Sequence, residues 1–171
     1  SFDISFEQLR FARAADTLDL VQADAAFLPF KDEAFDVVFS AHGGFAFVPD
    51  LLRAFSDCAR VLRTGGRFVA SLPHPIRWML PDTADPEQLR IIRKYLDSNP
   101  YVEYDDEDQP AYVEHHHTLA HTINALIHSG MRLVSIAEPT WKPGRTTQWD
   151  AWSAATAALY PRTLIVEAIK D

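Results

Sequence analysis

Seven histidines and a scatter of carboxylates are the residues in this chain whose chemistry reaches beyond packing. His115, His116 and His117 stand in a row, with His121 four residues past the last. His117 and His121 would share one face if a helix ran through both. Histidine titrates near neutrality, so such a run can take a proton from a substrate or ligate a metal. No HExxH pattern accompanies it, and the single cysteine, Cys58, offers no thiolate cluster. The metal reading is therefore set aside; the plainest reading is a solvated loop running into a helix. His74 sits between Pro73 and Pro75, with Trp78 four residues on. Asp3 and Asp24 each follow a short apolar run. A carboxylate there either accepts hydrogen bonds from a ligand or closes a turn.

The elements that must position these groups can be read from periodicity. Five runs predict strands: residues 19–23, 35–41, 67–72, 132–137 and 163–169. The second and third are so dense in Val, Phe, Leu and Ala that they predict strands covered on both faces. The stretch Phe2-Asp3-Ile4-Ser5 looks like the tail of one more. Ser5-Phe6-Glu7-Gln8 is a capping box that opens a helix. A second helix follows Asp50 with Leu51, Leu52, Phe55, Cys58, Ala59 and Leu62 inward, and Gly65 as its stop. Asp85-Pro86-Glu87-Gln88 predicts a third, with Leu89, Ile92 and Leu96 on one face. Leu119, Ile123, Leu126 and Ile127 predict a fourth, closed by Gly130. Strands alternating with helices argue for an α/β fold built from parallel crossovers. The acidic, tyrosine-bearing stretch 99–117 breaks the rhythm, so residues 80–117 are read as an inserted cover. The long return through residues 138–161, with Trp141, Trp149 and Trp152, predicts an antiparallel last strand.

In open α/β sheets, ligands lie past the carboxyl ends of the strands. Reading just past each run gives Asp24-Ala25, Ser40-Ala41-His42-Gly43, Pro73-His74-Pro75 and Glu138-Pro139. Polar residues thus recur on one sheet edge, and Asp24 is placed to meet a ligand lying across it.

The whole chain bounds the choice of ligand. Its 171 residues form one domain, able to bury about 70% of its unfolded surface. A net charge of −8 argues against a general field for nucleic acid or anionic membrane. The absence of a long apolar run and the lone cysteine lead to the expectation of a cytoplasmic protein.

In ADAAFLPF (residues 23–30), FDVVFS (35–40) and RVLRTGGRFVASLPHP (60–75), together with Asp3-Ile4-Ser5, the chain resembles class I S-adenosylmethionine-dependent methyltransferases. INALIHSGMRLVSIAEP (123–139) and the closing YPRTLIVEAIK (160–170) extend the likeness over most of the chain. The resemblance implies a Rossmann-like three-layer sandwich, its sheet mostly parallel with an antiparallel last strand. It implies S-adenosyl-L-methionine as cofactor and a small-molecule acceptor. Asp3, with Ile4 beside it, would accept hydrogen bonds from the ribose hydroxyls. Asp24 would accept from the adenine amino group, with the Ala25 amide beside the ring. Ser40 would approach the methionine portion, and His42 and Trp78 the substrate. His116, His115 and His74 are the candidate bases for transfer to oxygen or nitrogen.

One departure from the family pattern is large. The six glycines contain no G-x-G, so the glycine loop after the family's first strand has no counterpart. With Met79 and Met131 the only methionines, the expectation is a chain without its N-terminal strands. Thr64 stands where the family usually has proline before the Gly pair, which affects only a turn. Two rival readings stay open: a noncatalytic interaction module that keeps the fold, and a nicotinamide dehydrogenase. The second is the poorer, because DAAFLPF has no role in it. The sequence leaves the acceptor and the oligomeric state open.

Overall fold

The computed structural model describes residues 1–15, 19–41, 44–142, 144 and 152–171. Strand β1 (Phe2–Asp3), helix α1 (Phe6–Ala15) and strand β2 (Val21–Gln22) form a short parallel crossover, with Asp3 opposite Gln22. Ser5 Oγ accepts from the Gln8 amide at 3.3 Å, satisfying one of the free donors at the start of α1.

Four further strands build the main sheet: β3 (Phe35–Ser40), β4 (Leu62–Pro73), β7 (Met131–Ala137) and β8 (Thr163–Lys170). Their order is β3-β4-β8-β7. β3 and β4 run parallel, while β8 runs antiparallel to both β4 and β7. The antiparallel last strand expected from the sequence is therefore present, set between strands that run the other way. The remaining pair, β5 (Tyr101–Tyr104) and β6 (Pro110–Glu114), is a hairpin inside the predicted cover.

Helix α2 (Leu51–Val61) starts where Asp50 accepts from the Arg53 amide at 3.0 Å. It buries Leu51, Ala54, Phe55, Cys58 and Val61, while Leu52 turns outward. Phe55 meets Phe45 at 5.0 Å and Phe68 at 5.4 Å, both edge-on, and this trio fills the space between α2 and the sheet. The buried partners on the sheet are Phe68, Ala70, Leu72, Leu164, Val166 and Ala168, the alternate residues of β4 and β8.

Helix α3 (Leu119–His128) packs beside α2 through Thr122, Ala125 and Leu126. A last short helix, α4 (Ala154–Ala157), precedes β8.

Several expectations are corrected. α2 ends at Val61, four residues before Gly65; residues 63–66 instead bulge out of β4. Gly65 takes φ +77°, and a side chain on Gly66 would meet the Arg63 carbonyl at 2.7 Å. The helix expected after Asp85 is a single turn over Pro86–Gln88. The amides of Ile92 and Arg93 turn to the Met79 carbonyl instead of to carbonyls one turn back, which takes the donors a helix would need. α3 begins at Leu119 under a Thr118 cap, so His117 lies outside it and shares no helix face with His121. Its inward stripe leaves out Ile127, which is exposed. Among the described residues β3 is covered on one face only: Val37 and Phe39 are 53% and 72% exposed.

Candidate active site

Asp3, Asp24 and Ser40 each stand at or just past the carboxyl end of a strand, β1, β2 and β3 respectively. Asp3 Oδ1 accepts from the Ser5 amide at 2.7 Å, fixing the carboxylate as the chain turns into α1. Its second oxygen meets no donor among the described residues. Asp24 repeats the pattern: Oδ1 accepts from the Ala26 amide at 2.8 Å, and the carboxylate stands exposed. Each acid is thus both a turn residue and an oriented acceptor with one oxygen to spare. That donor–acceptor chemistry fits a ribose diol and an exocyclic amine.

The loop from Asp24 to Phe30 is clamped by one face of α2. Arg53, Asp57 and Arg60 lie four and three residues apart, so they share that face. Arg53 Nε donates to the Ala26 carbonyl at 3.1 Å, with its guanidinium over the Phe27 ring. Asp57 Oδ2 accepts from the Leu28 amide at 2.5 Å. Arg60 donates to the Phe30 and Leu28 carbonyls, to both oxygens of Asp57 and to Asp32. Burial pushes the Asp57 carboxyl upward, but Arg60 and the Leu28 amide outweigh it and hold it below the usual carboxylate range. Nothing in the sequence pattern read above pointed to this clamp; its signal is the R-x-x-x-D-x-x-R spacing on a capped helix.

Past the end of β4 lies a cavity of about 290 Å³. His74, Trp78, His115 and His116 all line it, so four expected site residues separated by up to 42 positions converge. His117, Arg77, Arg93, Tyr101 and Glu114 join them. The hairpin β5–β6 reaches this place because the His115 amide donates to the Ala46 carbonyl at 2.8 Å and Arg77 pairs with Glu114 at 3.3 Å. Burial works against the charge of Arg77; the carboxylates of Asp82 and Glu114 outweigh it. His42 lies outside the described residues, and so does Trp149. Asp3, Ile4, Asp24, Ala25 and Ser40 are not part of the cavity wall.

The histidines divide by what holds their nitrogens. His74 Nδ1 accepts from the Ile76 amide at 3.2 Å and Nε2 reaches Glu138 Oε1 at 2.8 Å, so both nitrogens are occupied. His116 Nε2 faces the Tyr95 carbonyl at 2.7 Å; a carbonyl only accepts, so Nε2 carries the proton and Nδ1 is bare. Its ring stacks on Trp78 at 4.9 Å and 11°. Burial keeps His116 below the ordinary histidine range, despite the Tyr95 hydrogen bond. His117 Nε2 likewise donates to the Val48 carbonyl at 2.8 Å, and burial lowers its pKa to about 4. Its buried Nδ1 meets no partner among the described residues. His115 stacks loosely on His117, 6.4 Å between centroids, with no hydrogen bond to its ring among the described residues.

Known proteins resemble this chain in sequence and in fold. Residues 1–70 match a family model described as a methyltransferase domain. An S-adenosylmethionine-dependent methyltransferase of Mesorhizobium loti superposes with a TM-score of 0.78 at 30% identity, covering 99% of this chain and 78% of that one. The chain is 44% identical over 75 residues to a malonyl-[acyl-carrier protein] O-methyltransferase of Methylococcus capsulatus, 42% of this chain and 27% of the relative. It is 44% identical over 55 residues to a ubiquinone/menaquinone biosynthesis C-methyltransferase of Brucella anthropi, 32% of this chain and 20% of the relative. The matches thus span about a quarter of the length of these curated relatives. The family's cofactor is S-adenosyl-L-methionine, and the oriented acceptors Asp3 and Asp24 fit its ribose and adenine. The α/β order, the antiparallel β8 and the M. loti likeness together place this chain in the class I S-adenosylmethionine-dependent methyltransferases.

Proposed function

We propose that this protein transfers a methyl group to a small acceptor held in the cavity beyond β4, and that His116 takes up the acceptor's proton. The observation that carries the reading is the convergence of His116, His115 and Trp78 on one cavity. Bound S-adenosyl-L-methionine supplies a methyl group that is already electrophilic. Asp3, with Ile4, would hold the ribose, and Asp24, with the Ala25 amide, the adenine. Ser40, next to the helical turn Gly44–Phe47 that walls the cavity, would face the methionine portion.

What remains for the protein is to align the acceptor, exclude water and remove a proton. His116 suits proton removal for three reasons. Its tautomer is set by Tyr95, its depressed pKa keeps Nδ1 unprotonated at neutral pH, and Trp78 supports its ring. His115 is the second choice, because its ring nitrogens have no hydrogen bond among the described residues. His74 serves as a brace between the turn Pro75–Met79 and Glu138. The two curated relatives are named for an oxygen and a carbon acceptor; a base in the cavity serves an acceptor that loses a proton on methylation, and we take the atom that loses it to be oxygen or nitrogen.

Methyl-labelled S-adenosylmethionine, offered with a panel of small hydroxyl and amine compounds, tests the proposal, alongside calorimetry with S-adenosylhomocysteine. Label in at least one acceptor is expected. Cofactor binding without transfer to any compound would overturn the acceptor reading, and no cofactor binding would favour the noncatalytic module and remove the cofactor roles of the strand-end acids.

A further inference from the structure

Arg93 differs from Arg77, the other arginine in the cavity wall. Arg77 is committed to Asp82 and Glu114. Arg93 has no ion pair among the described residues, yet it is half-buried and lines the cavity wall. Its guanidinium carbon lies 5.1 Å from the centroid of Trp78 and 4.8 Å from that of Tyr101. The backbone beneath it is fixed, because the Ile92 and Arg93 amides both donate to the Met79 carbonyl. Trp78 is held in turn by the His116 ring, and Tyr101 by a 2.7 Å hydrogen bond from its hydroxyl to Glu103.

A guanidinium over ring faces is attracted through its flat side, which leaves its in-plane N–H donors for another partner. Those donors form a rigid fork that matches the two oxygens of a carboxylate. A lysine could be held by the same rings but would offer only a point charge. Arg93 is a cation without an ion pair among the described residues, in a cavity whose carboxylates Asp82 and Glu114 are taken by Arg77, and there it favours an anion more than it would at the surface.

We propose that the cavity receives an acceptor bearing a carboxylate, and that Arg93 binds this carboxylate side-on while Trp78 and Tyr101 hold the guanidinium. The carboxylate is the acceptor's and not the amino-acid tail of the cofactor, because no proposed cofactor contact lines this cavity. At about 290 Å³ the space suits a compound of modest size, at the lower end of small-molecule sites. The inference rests on reading this cavity as the acceptor site, but its test needs no methyl transfer. Carboxylate binding without turnover would sink the catalytic reading alone, and turnover of neutral acceptors without carboxylate preference would sink this one alone.

The test is equilibrium calorimetry with acetate, benzoate and 4-hydroxybenzoate, each paired with its carboxamide, and with inorganic phosphate. Wild type, Arg93→Gln and Arg93→Lys are compared, with melting temperatures recorded. At least one carboxylate is expected to bind ten-fold or more tightly than its amide. Arg93→Gln should bring that pair within about two-fold, and Arg93→Lys should lose several-fold while keeping some preference. If Arg93→Gln melts early, Arg93→Lys alone decides, and an undiminished preference there overturns the proposal. It is also overturned if no carboxylate exceeds its amide, if the preference survives in a folded Arg93→Gln, or if phosphate binds more tightly than every carboxylate.

Discussion

At His116 the useful property is not the imidazole alone but the carbonyl behind it. Because Tyr95 accepts from Nε2, the lone pair is confined to Nδ1. His116→Ala should therefore lower turnover by roughly 10²-fold while S-adenosylhomocysteine affinity stays within about two-fold, since the cofactor contacts proposed for Asp3, Asp24 and Ser40 lie on other loops. Parallel kinetics and calorimetry check this; equal losses in both would make the residue a structural one. His116→Gln, which can keep the Tyr95 contact but not the basic nitrogen, should be as slow as His116→Ala. Asp24 is tested from the other side. Asp24→Ala should weaken S-adenosylhomocysteine by about 1–3 kcal/mol, the cost of leaving a ligand donor unpaired. Its turn is exposed, so the melting temperature should move little. Unchanged affinity would leave Asp24 as the closer of the 24–27 turn and nothing more.

Helix α2 does two things with two faces. Phe55 and its neighbours enter the core, and Arg53, Asp57 and Arg60 grip the loop that follows β2. Asp57 is the hinge of that grip, because it takes the Leu28 amide with one oxygen and Arg60 with both. Asp57→Ala strands a buried amide and releases Arg60, and should cost about 2–4 kcal/mol in urea unfolding. It should also weaken S-adenosylhomocysteine binding in the folded variant, because Asp24 and Ala25 begin the same loop. Loss of stability with cofactor affinity intact would show that the clamp holds the fold but not the site.

For the molecule as a whole, His117 ties folding to pH. The ring is held neutral by burial, with a pKa of about 4 against about 6.5 in the open chain. Between those values the unfolded chain takes up a proton that the folded chain refuses. Folding stability is thus fully present above pH 6.5 and falls as pH drops toward 4, by on the order of 2–3 kcal/mol from this group. Asp57 has a depressed pKa as well, so its contribution is present above the ordinary aspartate range and is lost at still lower pH. Denaturant melts from about pH 7 to about pH 4 on wild type and His117→Gln separate the two. The glutamine can still donate toward Val48 and does not titrate, so its profile should be flatter over that range. An identical slope would assign the acid sensitivity elsewhere.

Much of this was legible in the order of residues. The strands β3, β4, β7 and β8 and the caps of α1 and α2 follow from local periodicity and punctuation, which neighbours in sequence suffice to set, and the antiparallel ending is read from the long return before it. The acids at the strand ends were equally local, since Asp3 and Asp24 bond to amides two residues away. Tertiary structure alone decided the rest. The apolar pattern at Leu89, Ile92 and Leu96 reads as a helix until Met79 captures the amides of Ile92 and Arg93. Which histidine keeps a free nitrogen depended on the carbonyls of Tyr95 and Val48 and the carboxylate of Glu138, up to 69 positions away. The clamp on the loop and the aromatic setting of Arg93 likewise join segments that only folding brings together. Sequence pattern encodes what a segment buries, whereas the partner of a polar atom is chosen by whichever distant group arrives beside it.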